Sequence, residues 1–160
     1  MALVEVRVSG LAIDDRNKTP VVLLQEASGD RVLPIWIGPA EASAIAMGLA
    51  GRKAPRPLTH DLLSTVINGL GAEVVRVDIT ELQDNTFFAR IFLKRQSELF
   101  SIDARPSDSI ALAIRAASPI YASEELIRAT ASEMSPDEQA KSLRKFLHDL
   151  DLEDFGKSSL

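Results

Sequence analysis

Apolar and polar residues alternate from Leu3 to Ile13 (LVEVRVSGLAI), and two apolar runs follow turn-forming segments: TPVVLLQEA over 19–27 after DDRNK, and RVLPIWI over 31–37 after ASGD. Alternation and short β-branched runs between turns predict three strands. After Gly38-Pro39 the pattern becomes AEASAIAMGLAG, alanine-rich and closed by Gly51, which predicts a helix with proline at its start and glycine at its stop. RKAPRP is a loop, because each proline disfavours helix at itself and at the residue before it. Thr59 then opens HDLLSTVINGLG as a predicted N-cap, with Leu62, Leu63, Val66, Ile67 and Leu70 at helical spacing.

The second half runs through the same order. EVVRVDITEL (73–82), NTFFARIFLKR (85–95) and ELFSIDA (98–104) predict strands, PSDSIALAIRAA a helix and, past a proline, SEELIRATA another helix. Sliding LPIWIGPAEASAIAMGL onto FSIDARPSDSIALAIRA places Ile35 on Ile102, Pro39 on Pro106, Ala44 on Ala111, Ala46 on Ala113 and the acidic Glu41 on Asp108. The expected fold is therefore α+β, a duplicated β3α2 unit with mixed or antiparallel sheets and packed helices. The units span about 1–70 and 71–132 of one domain, with the corners at Pro39 and Pro106 brought together. Residues 133–160 form a tail in which Ser135, Pro136 and Glu138 write a capping-box start, and Ala140, Leu143, Phe146, Leu147 and Leu150 share one face of an amphipathic helix.

A chain of 160 residues fits one domain with a sizeable core, and 46% hydrophobic with 26% charged residues is ordinary globular composition. The absence of cysteine removes disulfides, thiolate metal sites and cysteine nucleophiles, and suits a reducing compartment. The N-terminus alternates like a strand rather than like a signal peptide, and no run approaches the roughly 20 apolar residues of a spanning helix, so a cytoplasmic location without membrane contact is expected. A net charge of -5 argues against non-specific phosphate-backbone binding as the main activity; any nucleic-acid contact must be local. HExxH, GxGxxG, P-loop and GxSxG patterns do not occur.

Charged and polar residues crowd two turns that lead into helices, ARPSDS (104–109) and RPLTHD (56–61). Open N–H groups and the positive end of a helix dipole attract anions there, so Arg105 and Arg56 are candidates for holding a phosphate. The segments LPIWIGPAEASAIA, RPLTHDLL, GAEV, TFFARI and IDARPSDSIALAIR resemble the motifs of the bifunctional nuclease domain family over about residues 3–131. That resemblance implies a domain acting on DNA and RNA, and it carries over as motif positions Glu41, Arg56, Thr59, His60, Asp61, Asp103, Arg105, Ser107 and Asp108.

Those residue types suit phosphodiester hydrolysis. Carboxylates from Glu41, Asp61, Asp103 or Asp108 are the candidate ligands of Mg²⁺ or Mn²⁺, which would lower the pKa of a bound water and steady the leaving oxygen. His60 is the candidate base, Arg56 and Arg105 neutralise phosphoryl oxygens, and Thr59 and Ser107 contact substrate. Plainer readings stand beside these. Asp61 and Asp108 lie in first helical turns, where an acid is favoured by about 0.3–1 kcal/mol through the dipole alone. Thr59 and Ser107 suit caps, His60 suits a loop hydrogen bond, and Arg105 is close enough to Asp108 to pair with it. Trp36, the single tryptophan, alternates with Ile35 and Ile37 and reads as packing or an interface anchor rather than a base-stacking platform. The alternative function is a non-catalytic homo-oligomeric regulatory or ligand-binding module, marked by an Arg105–Asp108 salt bridge and an apolar surface patch. Edge strands and the amphipathic tail lead to an expected homodimer or higher oligomer.

Overall fold

A computed structural model describes residues 2–130, 132–133 and the single positions Lys141, Lys145 and His148; the predicted tail helix otherwise lies outside the described residues. Three antiparallel strands open the chain: β1 (Leu3–Asp14), β2 (Thr19–Glu26) and β3 (Arg31–Trp36). Helices α1 (Pro39–Leu49) and α2 (Thr59–Gly69) follow, then a second meander of β4 (Glu73–Gln83), β5 (Thr86–Arg95) and β6 (Glu98–Ala104). Helix α3 (Pro106–Ala116), strand β7 (Ile120–Ser123), helix α4 (Glu124–Thr130) and the two-residue strand β8 (Ser132–Glu133) complete it.

The strands form one mixed sheet in the order β6-β5-β4-β7-β1-β2-β3-β8. Strand β7 is the seam, parallel to β4 on one side and antiparallel to β1 on the other. The α+β class and the packed helices agree with expectation. The repetition does not extend through every element, because nothing between α1 and α2 corresponds to β7. Sequence reasoning passes from Pro119 straight to a helix, since IYAS is only four residues long and shows too little alternation to declare a strand.

Local chemistry explains the punctuation. Asp84 and Asn85, with φ of 50° and 61°, form the two-residue β4–β5 loop, and two consecutive left-handed residues match the right-handed twist of a hairpin. Gly51 turns the chain out of α1 at φ 64°, a conformation that costs glycine nothing sterically. Pro39 and Pro106 each occupy the first turn of a helix, where the absent N–H would have no intrahelical acceptor. Ser123 caps α4, its hydroxyl accepting from the Leu126 N–H at 3.4 Å. Thr59 does not cap α2: the cap position falls on Leu58, whose N–H donates to the Asp61 carboxylate at 3.0 Å.

The core lies between the sheet and the helices. Val22 and Leu24 of β2, Leu33 and Ile35 of β3, Val77 and Ile79 of β4 and Ile91 of β5 join Ile45, Ile110 and Leu112 in one cluster. Each such side chain contributes about 1.5–3 kcal/mol by leaving water. Strand β2 buries both faces, its Val21 and Leu23 joining Val32 of β3 in a second, smaller cluster. Helix α1 packs on α3 across Gly48, where an added Cβ would meet Ile114 Cγ2 at 3.0 Å and Arg115 Nη1 at 3.1 Å. Arg31 clamps the start of α4 to the sheet, its guanidinium donating to Glu26 at 2.7 and 2.8 Å and to Glu124 at 2.8 Å.

The apolar stripe of α2 reverses expectation: Leu62, Val66 and Leu70 are 56%, 48% and 66% exposed, and only His60 and Ile67 of this helix are buried. The polar histidine is buried and the leucines face water.

Candidate functional site

The first turns of α1, α2 and α3 meet at one corner. They enclose a hollow of about 370 Å³ lined by Ala40, Glu41 and Ala44 from α1, Leu58, Thr59 and His60 at the start of α2, and Arg105 and Asp108 at the start of α3. The unpaired N–H groups of three first turns give this corner a positive potential that does not depend on side-chain charge. The corners at Pro39 and Pro106 do come together, as expected: Arg105 Nη2 donates to Glu41 Oε1 at 3.3 Å.

His60 Nε2 stands 2.9 Å from Asp108 Oδ1, and Arg105 donates to the other oxygen of the same carboxylate at 3.0 Å. A neutral ring beside an ionised carboxylate carries its proton on Nε2, which leaves Nδ1 as the basic nitrogen. Arg105 bridges Asp108 and Glu41, and its hydrogen bond to Asp108 raises its pKa above the ordinary guanidinium value. Its side chain remains 66% exposed, so the guanidinium is held in place while part of it faces solvent.

Glu41, Thr59, His60, Arg105 and Asp108 of the expected site thus share one hollow. The remaining four stand elsewhere. Asp61 lines a different hollow, where it accepts from Arg115 Nε at 2.6 Å. Burial pushes the Asp61 carboxyl up, but the hydrogen bonds from Arg115 and the Leu58 N–H and the Arg115 charge outweigh it, leaving a net lowering. Asp103 pairs in register with Arg90, one position from Ile91 and Ile102; side chains alternate across a sheet, so Asp103 lies on the face away from the helices. Arg56 lines a separate hollow, and Ser107 is buried against a third.

These positions bear on the expected Mg²⁺ or Mn²⁺ site. Glu41, Asp61, Asp103 and Asp108 do not converge, and no group of three or more acidic or histidine side chains among the described residues could hold an ion. Glu41 and Asp108 both face Arg105 instead. The four-carboxylate ligand set does not fit this arrangement.

Sequence reasoning missed Arg115. Its side chain is 10% exposed and reaches all three helices, donating to Asp61 on α2, to Ala111 O on α3 at 3.0 Å and to Ala44 O on α1 at 3.1 Å. The signal that could have found it was its place four residues after Ala111, on the buried stripe of the helix, where a charge needs partners. Arg115 also borders a wider hollow of about 550 Å³, with Arg52, Lys53 and Arg56 on its rim. Among the described residues these three have no carboxylate partner within salt-bridge distance, so they form a local basic patch on an acidic chain.

Fold and corner define an α+β domain whose helix starts converge on a histidine–carboxylate pair with an arginine beside it. The chain belongs to the bifunctional nuclease domain family, whose profile matches residues 22–135. An uncharacterised protein of Mycobacterium tuberculosis is 44% identical over 151 residues, covering 94% of this chain and 90% of that one. Bifunctional nuclease 1 of Oryza sativa subsp. japonica is 28% identical and bifunctional nuclease 2 of Arabidopsis thaliana 27% identical, each over 109 residues and 66% of this chain. The chain spans about a third of the length of these two plant proteins, 33% in each case. No helix among the described residues is long and apolar enough to cross a membrane.

Proposed function

We propose that the protein cleaves phosphodiester bonds of DNA or RNA at the corner where α1, α2 and α3 begin. The observation that carries this reading is the His60–Asp108 contact at 2.9 Å inside a hollow that also contains Arg105. In this reading Nδ1 of His60 takes the proton of the attacking hydroxyl, from water or from a ribose 2′-OH, as its oxygen bonds to phosphorus and the P–O bond to the leaving oxygen breaks; that oxygen takes a proton from water, while Asp108 holds the ring and steadies its positive charge. The exposed part of the Arg105 guanidinium and the first-turn N–H groups meet the phosphoryl oxygens as charge builds on them, and Glu41 keeps Arg105 in position. Membership of a nuclease-like family supports the reaction class.

The test uses the purified full chain with single-stranded RNA and DNA, with Mg²⁺ and with EDTA. Cleavage should fall about 10²-fold or more in His60→Ala, the typical contribution of a positioned base. Equal cleavage by the parent and by His60→Ala would reject the catalytic reading. A second reading is favoured by the Arg105–Asp108 ion pair and the exposed apolar stripe of α2: a homo-oligomeric module that holds an anionic ligand without turning it over. It expects no cleavage and a dimer or larger assembly in light scattering that Val66→Glu disperses.

A further inference from the structure

The hollow of about 550 Å³ is walled by the C-terminal end of α1, the loop that leads to α2, one side of α2 and the end of α3. Arg52, Lys53, Arg56 and Arg115 line it with a single carboxylate, Asp61, so four cations against one anion leave three positive charges on a chain whose net charge is -5. Helix dipoles account for part of this, because Arg52 and Lys53 follow the C-terminus of α1, where a cation is favoured. Arg56 has no such reason to be there. It stands two residues before the Leu58 cap of α2, at the positive end of that helix, where a cation is disfavoured.

The loop that carries these cations is tied down at both ends. The Arg52 N–H donates to Met47 O at 3.0 Å, and the Leu58 N–H donates to Asp61 at 3.0 Å. Pro55 and Pro57 flank Arg56 and disfavour helical backbone at Ala54 and Arg56, so little backbone freedom remains to be lost on binding. A guanidinium has five N–H groups; Arg115 commits three of them, to Asp61, Ala111 O and Ala44 O, which leaves one on each Nη for a ligand. Ser64 adds a hydroxyl to the same wall.

The hollow adjoins the His60 corner. Pro57 and Leu58 are consecutive, as are His60 and Asp61, and each pair divides between the two hollows. Three surplus charges exceed what one phosphodiester neutralises, so the hollow suits successive phosphates of a chain rather than a single one. We infer that it binds the backbone of a nucleic-acid strand, holding phosphates that flank the linkage at the corner, an inference that rests on the phosphodiester reading of that corner. This is the local contact that an acidic chain requires, since its overall charge repels a phosphate backbone.

The test measures binding of a labelled single-stranded oligothymidylate of eight nucleotides by fluorescence anisotropy, with the full chain in a His60→Ala background so that the strand stays intact. Joint replacement of Arg52, Lys53 and Arg56 by alanine should weaken binding on the order of tenfold at about 50 mM salt. Joint replacement of Arg7, Lys18 and Lys94, exposed cations outside the hollow, makes the same change in net charge and should weaken it by less than about twofold. Circular dichroism checks that both variants fold. The first result, with no cleavage by the parent, would uphold the strand site while removing the catalytic reading. Equal losses in the two triple variants, or none in the first, would overturn the inference. Inorganic pyrophosphate binding more tightly than the strand in calorimetry would also overturn it, by assigning the hollow to a free polyphosphate.

Discussion

Arg115→Met is the most informative single change, because one guanidinium holds α1, α2 and α3 together behind the corner. Methionine keeps much of the apolar stem and removes the three hydrogen bonds. Breaking one side of a fully buried ion pair costs about 3–5 kcal/mol, whereas an exposed pair is worth about 0–1. Here the arginine side chain is 10% exposed and the Asp61 side chain 38%, so the abandoned carboxylate regains part of its hydration. The expected loss is about 2–3 kcal/mol, or a Tm lower by roughly 5–10 °C at this chain length. Urea unfolding followed by circular dichroism measures it, and a cycle with Asp61→Asn should give a coupling of about 1–2 kcal/mol. The pH dependence carries a sign. Asp61 has a lowered pKa in the fold, so its contribution is present above the ordinary value of 3.8 and is lost as the pH falls through the lower folded value. Arg115→Met should flatten that acid limb. Single variants that both lie within about 0.5 kcal/mol of the parent, the range of ordinary surface changes, would refute the idea that Arg115 holds the three helix starts in place.

Asp78 gives the opposite pH signature: burial raises its pKa and the Arg76 charge only partly offsets this, so the group costs stability as the pH rises above 3.8 through the raised folded value. Asp78→Asn should match or exceed the parent in stability at neutral pH, with the advantage shrinking toward acid, measured by denaturant titration across pH. On the basic rim, joint replacement of Arg52, Lys53 and Arg56 by alanine should reduce the salt slope of single-stranded oligonucleotide binding by about 2, at roughly 0.7 for each phosphate left unneutralised, as read by fluorescence anisotropy. An unchanged slope would remove that rim from the binding path.

Much of the corner is legible in the sequence because helix starts announce themselves. Proline at first-turn positions 39 and 106, and acids two residues beyond each, mark where chain direction and charge coincide, and the structure brings Glu41, His60, Arg105 and Asp108 together there. Asp61 is legible as a first-turn acid, but adjacent positions on a helix point about 100° apart, so His60 and its neighbour serve different hollows. Asp103 fails for the analogous reason in a strand, where the face alternates with each residue. What the pattern does not convey is three-dimensional partnership. Nothing local in IALAIRAA says that its arginine will meet Asp61 and Ala44, and nothing in IYAS says that it will join two meanders. The stripe of α2 shows a further limit: helical spacing identifies an apolar face without saying what covers it.

Strand β7 defers the join between the two meanders until both have been made. Leu3 pairs with Ser123 and Val6 with Ile120, so β1 waits until β2 to β6 and the first three helices have been made before its second neighbour arrives. Until then the flank of β1 is an open template for pairing with other nascent chains. Such distant closure is slow relative to helix formation, because loop entropy opposes it before the pairing offers any return. A ribosome-bound chain stopped just short of Pro119 would therefore carry two separate half-sheets, and release of the next few residues would join them in a single late step.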